Sequence, residues 1–271
     1  MTRGGSMTKQ ENGEAREFLE FAENLAKETG ELALKYYGRG DPELKFDESL
    51  VTEAELAIRE FIHTRVTERY PEHHLMGEGD DQRAYGHGER GFQWIADPMD
   101  GSANFQAGIP IWGVSLALFK NFWPILGVFY MPVTGDLYKA LAGRKLIANE
   151  KTITLEPEVV ANNESVLLTY SRFHTEFRST FPGKIRNFGC TAAHLGYVAS
   201  SRAEAALMKY VHIWDIAAGL ILLEAAGGEI RYLDGGKFHL NDYLDSQKVD
   251  QPLLAAPAGE HSMISQYLQP V

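Results

Sequence analysis

The chain has 271 residues, 44% of them hydrophobic and 23% charged, which excludes a disordered, collagen-like or disulfide-stapled protein and leaves room for a large core. Its 26 Lys and Arg against 37 Asp and Glu give a formal net charge of −11, which excludes nucleic acid or an anionic membrane as main partner unless a local patch reverses the sign. Cys190 is the one cysteine, so internal disulfides, a thiolate zinc cluster and dithiol redox chemistry are excluded too.

Residues 1–13 are small, polar and charged with no apolar stretch, so they are expected to be a disordered or tag-like start rather than a secretory signal. From Glu14 to Tyr37, Phe18, Phe21, Ala22, Leu25, Leu32, Ala33 and Tyr36 recur at helical spacing, predicting an amphipathic helix closed by Gly38. A second helix is expected from Thr52, whose hydroxyl caps it with Glu55 completing a capping box, over a stripe of Ile58, Phe61, Ile62 and Val66. Phe92–Ala96, Trp112–Phe119 and Trp123–Tyr130 read as strands, and the turn Met131–Asp136 leads into another. After Glu150 strands alternate with helices: strands near 165–169, 184–188 and 205–208, helices over 191–200 and 214–226. The expected organisation is one catalytic domain over 14–271, made of two α/β layers at about 14–150 and 151–271. The apolar stretches 109–119 and 213–227 are too short to span a bilayer, so a cytoplasmic protein that does not enter membranes is expected.

The segment Trp94-Ile-Ala-Asp97-Pro-Met-Asp100-Gly-Ser102 runs an apolar strand into two carboxylates and a Gly-Ser pair. Asp97 and Asp100 bracket what reads as a turn, which aims both carboxylates and a carbonyl at one point, the oxygen-rich setting that Mg²⁺ favours. A helix turn starting at Gly-Ser adds free N–H groups beside the cations, where a phosphate can sit. Gly77-Glu78 and Trp214-Asp215 put further acidic groups at a strand end and a helix start. Alone, Asp215 reads as a cap and Glu78 as a solvated side chain rather than as ligands, and Asp-Pro-x-Asp-Gly reads equally as an ordinary turn.

Together, Val51-Thr-Glu-Ala-Glu55, Gly77-Glu78, Asp97-Pro-Met-Asp-Gly-Ser102, Gly189-Cys-Thr-Ala-Ala193, Trp214-Asp215-Ile-Ala-Ala-Gly219 and Glu224-Ala-Ala-Gly-Gly228 resemble the inositol monophosphatase family over residues 14–258. These are Mg²⁺-dependent, lithium-sensitive phosphomonoesterases. The resemblance implies an α+β fold, a layered αβαβα sandwich with two sheets alternating with helix layers, and commonly a homodimer. It implies that Glu78, Asp97 and the Met99 carbonyl bind a first Mg²⁺, that Asp97, Asp100 and Asp215 bind a second, and that a third ion shares Glu78. Two such ions stabilise both the entering water and the leaving alkoxide of an in-line displacement. It further implies that Ser102 and Glu55 orient the water with Glu78 beside them, that the Gly101 and Ser102 amides hold the phosphate next to Asp100 and Asp215, and that Cys190 and Thr191 present backbone to the substrate.

Three positions depart from the family pattern: Ser102 stands for Thr, Glu55 for Asp, and Gly79 follows Glu78 where a second acid is usual, with Asp80 or Asp81 as substitutes. Lys45 would lie near the cluster. Glu55 and Gly79 keep open a second class of reading, a catalytically impaired homologue that binds metal and phosphate. The family acts on inositol monophosphates, fructose 1,6-bisphosphate, histidinol phosphate or 3′-phosphoadenosine nucleotides. Met208 occupies the position of the glutamate that accepts ring hydroxyls in inositol-selective members, and a thioether is a weak acceptor. Lys209, Tyr210 and His212 would suit a second anionic group.

Overall fold

The computed structural model describes residues 9–39, 48–78, 91–156, 160–243 and 248–271. Lys45, Gly79, Asp80 and Asp81, together with the side chain of Thr52, lie outside the described residues. The first helix, α1 (Lys9–Leu34), begins five residues before Glu14. The second, α2 (Glu48–Arg69), begins before Thr52, because no glycine or proline between Glu48 and Thr52 stops it. Thr52 therefore lies inside the helix rather than at its start. Both helices bury one stripe, Phe18, Ala22 and Leu25 from α1 and Ile62 and Val66 from α2, in a single cluster with Trp94, Leu116 and Val128.

Those last three residues belong to a seven-stranded sheet in chain order: β1 (His74–Gly77), β2 (Phe92–Asp100), β3 (Gly113–Lys120), β4 (Trp123–Met131), β5 (Asp136–Leu141), β6 (Leu146–Ala148) and β7 (Lys151–Ile153). A short helix, α3 (Ser102–Ala107), follows β2. Alternate side chains face opposite layers, Trp94 toward α1 and α2, Ile95 toward the middle of the molecule.

The second half builds β8 (Val166–Leu168), α4 (Phe173–Glu176), β9 (Phe177–Ser179), β10 (Lys184–Arg186), α5 (Thr191–Ala199), β11 (Ala205–Met208), β12 (Val211–His212), α6 (Ile213–Ala226), β13 (Gly228–Tyr232), β14 (Lys248–Val249), β15 (Leu253–Pro257), α7 (His261–Ser265) and β16 (Leu268–Pro270). Five of the strands form a second sheet in the order β10-β8-β11-β15-β13. Helices α5 and α6 are packed between the two sheets. Leu167, Leu207 and Leu254 point the other way, into a separate core with Phe173, Phe177 and Ile264. The fold is thus an α+β sandwich, helix, sheet, helix, sheet, helix. Among the described residues no helix is long and apolar enough to cross a membrane.

Candidate functional site

The Asp97–Asp100 segment is not a turn after the strand but an irregularity within it. Strand β2 runs to Asp100; Asp97 pairs Ser115 and Asp100 pairs Gly113, so three steps on β2 oppose two on β3. Side chains three apart on a regular strand point to opposite faces, and the one inserted residue restores a common side for the two carboxylates. Pro98 fits there because β1 stops pairing at Ala96 and asks no N–H of it. Gly77 pairs Ala96, so Glu78 and Asp97 leave the parallel pair side by side.

Gly101 then turns the chain into α3 with φ +91°. A Cβ there would stand 3.0 Å from the Ile111 carbonyl oxygen and 3.2 Å from Cys190 Cβ, so both the backbone conformation and the space call for glycine. Ser102 is the first residue of α3 and is half-buried, as expected of a Gly-Ser helix start. Asp215 sits in the first turn of α6, across the face of the same sheet.

Asp97 and Asp100 are 2% and 8% exposed. Burial raises the Asp97 carboxyl well above its ordinary value, and the charges of Asp100, Asp215 and Glu78 add to it. Burial pushes Asp215 up to about 8, again with Asp100 and Glu78. Asp100 is pushed up to about 6 by burial, against the N–H of Ala192, the Cys190 thiol and the N–H of Thr191. Glu78 has exposed surface at the rim, yet the protein around it still raises its carboxyl. Glu55 is half-buried on α2; burial and the Glu78 charge raise it, against Arg59. The structure therefore brings Glu55, Glu78, Asp97, Asp100 and Asp215 from four segments into one electrostatic neighbourhood.

Among the described residues no three such side chains close around an ion as they stand. Three of these carboxylates are engaged with backbone N–H groups. Asp97 Oδ1 accepts from the Met99 N–H at 3.0 Å, Asp215 Oδ2 from the His212 N–H at 2.8 Å, and Asp100 from the N–H groups of Thr191 (3.1 Å) and Ala192. The donor set nevertheless fits a hard divalent cation: all oxygen, mostly buried, and mutually repelling. The Asp215 charge is among those that raise Asp97, a repulsion that a bound cation would relieve.

Asp100 also caps α5 from 91 residues away, a link worth about 1 kcal/mol for an N-cap. The Thr191 amide, expected to face substrate, is thereby committed to Asp100. Cys190 is buried, and burial together with the Asp100 charge holds its thiol well above its usual range. Two positioning residues escape the sequence reading. Asn104 on α3 donates through Nδ2 to the carbonyls of Ile111 and Phe188, both at 2.6 Å. His194 Nε2 accepts the Phe188 N–H at 3.0 Å. Neither carries a local motif; their partners are set by the fold.

Met208 is 2% exposed and packed in the core between the sheets with Cys190 and Trp214. Lys209 is not free for a second anion: its Nζ is paired with Glu176. His212 stacks on Trp214 at 4.6 Å, with Nδ1 3.9 Å from Asp215 Oδ2.

The model of the inositol monophosphatase family matches residues 14–264. A histidinol-phosphatase of Chlorobaculum parvum is 33% identical over 78% of this chain and 83% of that protein. An inositol-1-monophosphatase of Bacillus subtilis is 28% identical over 81% of this chain and 83% of its own. Among solved structures, the IMPase of Thermotoga maritima has a TM-score of 0.76 at 25% identity, covering 93% of this chain and 96% of its own. With the family model spanning nearly the whole chain, and with its bulged Asp-Pro-x-Asp-Gly strand and helix-borne Trp-Asp in one site, this chain belongs to the inositol monophosphatase family.

Proposed function

We propose that this protein hydrolyses a small sugar-like or polyol phosphate monoester of the inositol monophosphate kind, at a site formed by Glu78, Asp97, the Met99 carbonyl, Asp100 and Asp215. Phosphomonoester hydrolysis is the chemistry of its family, which is metal-dependent. The observation that carries the site is that burial raises Asp97, Asp100 and Asp215 alike, with the Glu78 charge adding to all three and the Asp100 and Asp215 charges adding to Asp97. Two to three Mg²⁺ held there would neutralise that charge, bind the phosphate oxygens and lower the pKa of water.

The protein's own groups supply position. The Gly101 and Ser102 amides at the start of α3 receive the phosphate, and Gly101 allows the close approach. The Ser102 hydroxyl and the Glu55 carboxylate orient the attacking water, the Glu55 carboxyl being raised by burial and by the Glu78 charge. In-line attack breaks the phosphorus–oxygen ester bond, releasing an alcohol and inorganic phosphate. Lithium inhibition, a homodimer and a cytoplasmic setting go with the same reading.

A histidinol phosphate substrate is the second reading, favoured by the buried Met208 where a carboxylate would accept ring hydroxyls and by the Chlorobaculum relative. Phosphate release from inositol 1-phosphate, histidinol phosphate, fructose 1,6-bisphosphate and a 3′-phosphoadenosine nucleotide, in Mg²⁺ and in EDTA with a lithium titration, decides between them. Mg²⁺-dependent release from at least one is expected; none from any would overturn the proposal and favour the impaired homologue. Glu55→Asp is expected to lower kcat by about tenfold with little change in KM, because it withdraws the carboxylate by over an ångström, and small misplacements cost up to about 100-fold. A rise in kcat would instead mark the glutamate as an impairment.

A further inference from the structure

Glu176, the last residue of α4, belongs to no motif of the family pattern, yet it is among the most heavily bonded carboxylates of the chain. It pairs with Lys209 Nζ and accepts from the hydroxyls of Tyr170 at 3.1 Å and Tyr210 at 3.2 Å. Its backbone carbonyl takes the N–H of Val271 at 2.9 Å. The Lys209 and Glu176 side chains are 20% and 22% exposed, so this is an ordered pair rather than a fluctuating surface contact.

What the network grips is a strained piece of chain. Tyr210 has φ +60°, a left-handed conformation that a bulky residue keeps only when its surroundings hold it. Its hydroxyl is fixed by Glu176, its ring packs edge-on to Tyr170 at 6.3 Å, and Lys209 Nζ lies 4.6 Å over the same ring. Two residues later the His212 N–H donates to Asp215 Oδ2 and the His212 ring stacks on Trp214. The turn at Tyr210 thus sets the direction in which the chain enters α6.

We propose that Glu176 is a positioning residue for Asp215: by holding Lys209 and Tyr210 it keeps residues 209–212 in the turn that aims the His212 N–H at the Asp215 carboxylate. Its consequence for cation binding rests on the proposed function, in which Asp215 is a ligand.

The test uses the full chain with Glu176→Ala, Glu176→Gln and Tyr210→Gly, and Arg178→Ala, exposed on the neighbouring β9, as control. The readouts are amide hydrogen exchange at His212, Mg²⁺ affinity by calorimetry, and kcat and KM. Glu176→Ala is expected to speed exchange at His212 by at least tenfold and to weaken Mg²⁺ binding five- to twentyfold, while Arg178→Ala leaves both within twofold. Glu176→Gln, which keeps an acceptor for the two tyrosines, should lose less than threefold. Glycine adopts positive φ freely, so in a Tyr210→Gly background the further loss on removing Glu176 should shrink below threefold.

Exchange at His212 within twofold of wild type in Glu176→Ala overturns the proposal, as does a full loss retained in the Tyr210→Gly background. If Glu176→Ala does not fold, Glu176→Gln with and without Tyr210→Gly carries the comparison, and equal losses in both backgrounds overturn it. A wild-type protein that takes up no Mg²⁺ defeats the proposed function, while exchange at His212 still decides the role of Glu176.

Discussion

Asp97→Asn is expected to reduce Mg²⁺-dependent phosphate release by more than about 100-fold, the upper end of what changes outside the ligand shell cost at metal sites, and to raise the stability of the metal-free protein. The two effects share one cause. Asp97 is buried and its charge is opposed by Asp100, Asp215 and Glu78. Without a cation that repulsion disfavours the fold; with one it becomes the binding energy of the site. Asparagine has the same shape and its Oδ1 still accepts the Met99 N–H, so the bulge is retained while one charge is lost. The gain in Tm in EDTA should be a few degrees, since about 1 kcal/mol moves a protein of this size by roughly 2–4 °C. The stabilisation that Mg²⁺ adds to wild type should largely vanish in the variant. Near-normal turnover, or a lower Tm in EDTA, would refute the placement of Asp97 at the centre of the site.

The parts of this site legible in the sequence are those written in neighbouring residues. An apolar strand running into Asp97-Pro-x-Asp100-Gly, and Trp214-Asp215 opening an apolar helix, show which side chains stand at element ends. Residues 205–208 and 191–199 fold where their periodicity puts them. The rest depends on register and tertiary contact. That Asp97 and Asp100 share one side follows from their pairing with Ser115 and Gly113, which no local pattern of β2 encodes. That Asp100 caps α5 depends on a contact 91 residues away, and the Glu176–Lys209 pair spans 33 residues. The expected start of α2 at Thr52 fails for a related reason: Thr-x-x-Glu is a cap only where the helix has not already begun.

In EDTA, Tm is expected to fall as pH rises from 6.5 to 8, the reverse of the usual behaviour of a protein held by ionised carboxylates. Asp215 has a folded value of about 8 against 3.8 for the free group, so between these limits the folded state holds a proton that the unfolded chain has released. Its contribution is present at low pH and lost as pH rises through 8. Over 6 to 8 this amounts to roughly 2 kcal/mol, or about 5 °C. Asp100, with a folded value of about 6, acts in the same sense from about 4 to 6.

Histidines bend the curve at the acid end. His194, 4% exposed and accepting the Phe188 N–H, and His73, accepting the Trp94 Nε1–H, are lowered to about 4 by burial, His74 adding to the shift at His73. The unfolded chain takes up those protons below about 6.5 while the folded state does not, so stability is lost as pH falls from 6.5 to 4. The metal-free protein should therefore gain stability from pH 8 down to about 6.5 and then level off as the two effects offset. Saturating Mg²⁺ keeps the carboxylates ionised and leaves only the histidines, giving a Tm that is flat from 8 to 6.5 and declines below. The difference between the two curves, read by thermal unfolding from pH 5 to 8.5, should be greatest at the alkaline end. A metal-free Tm that stays level or rises between pH 6.5 and 8 would remove the electrostatic basis for assigning Glu78, Asp97, Asp100 and Asp215 to one cation site.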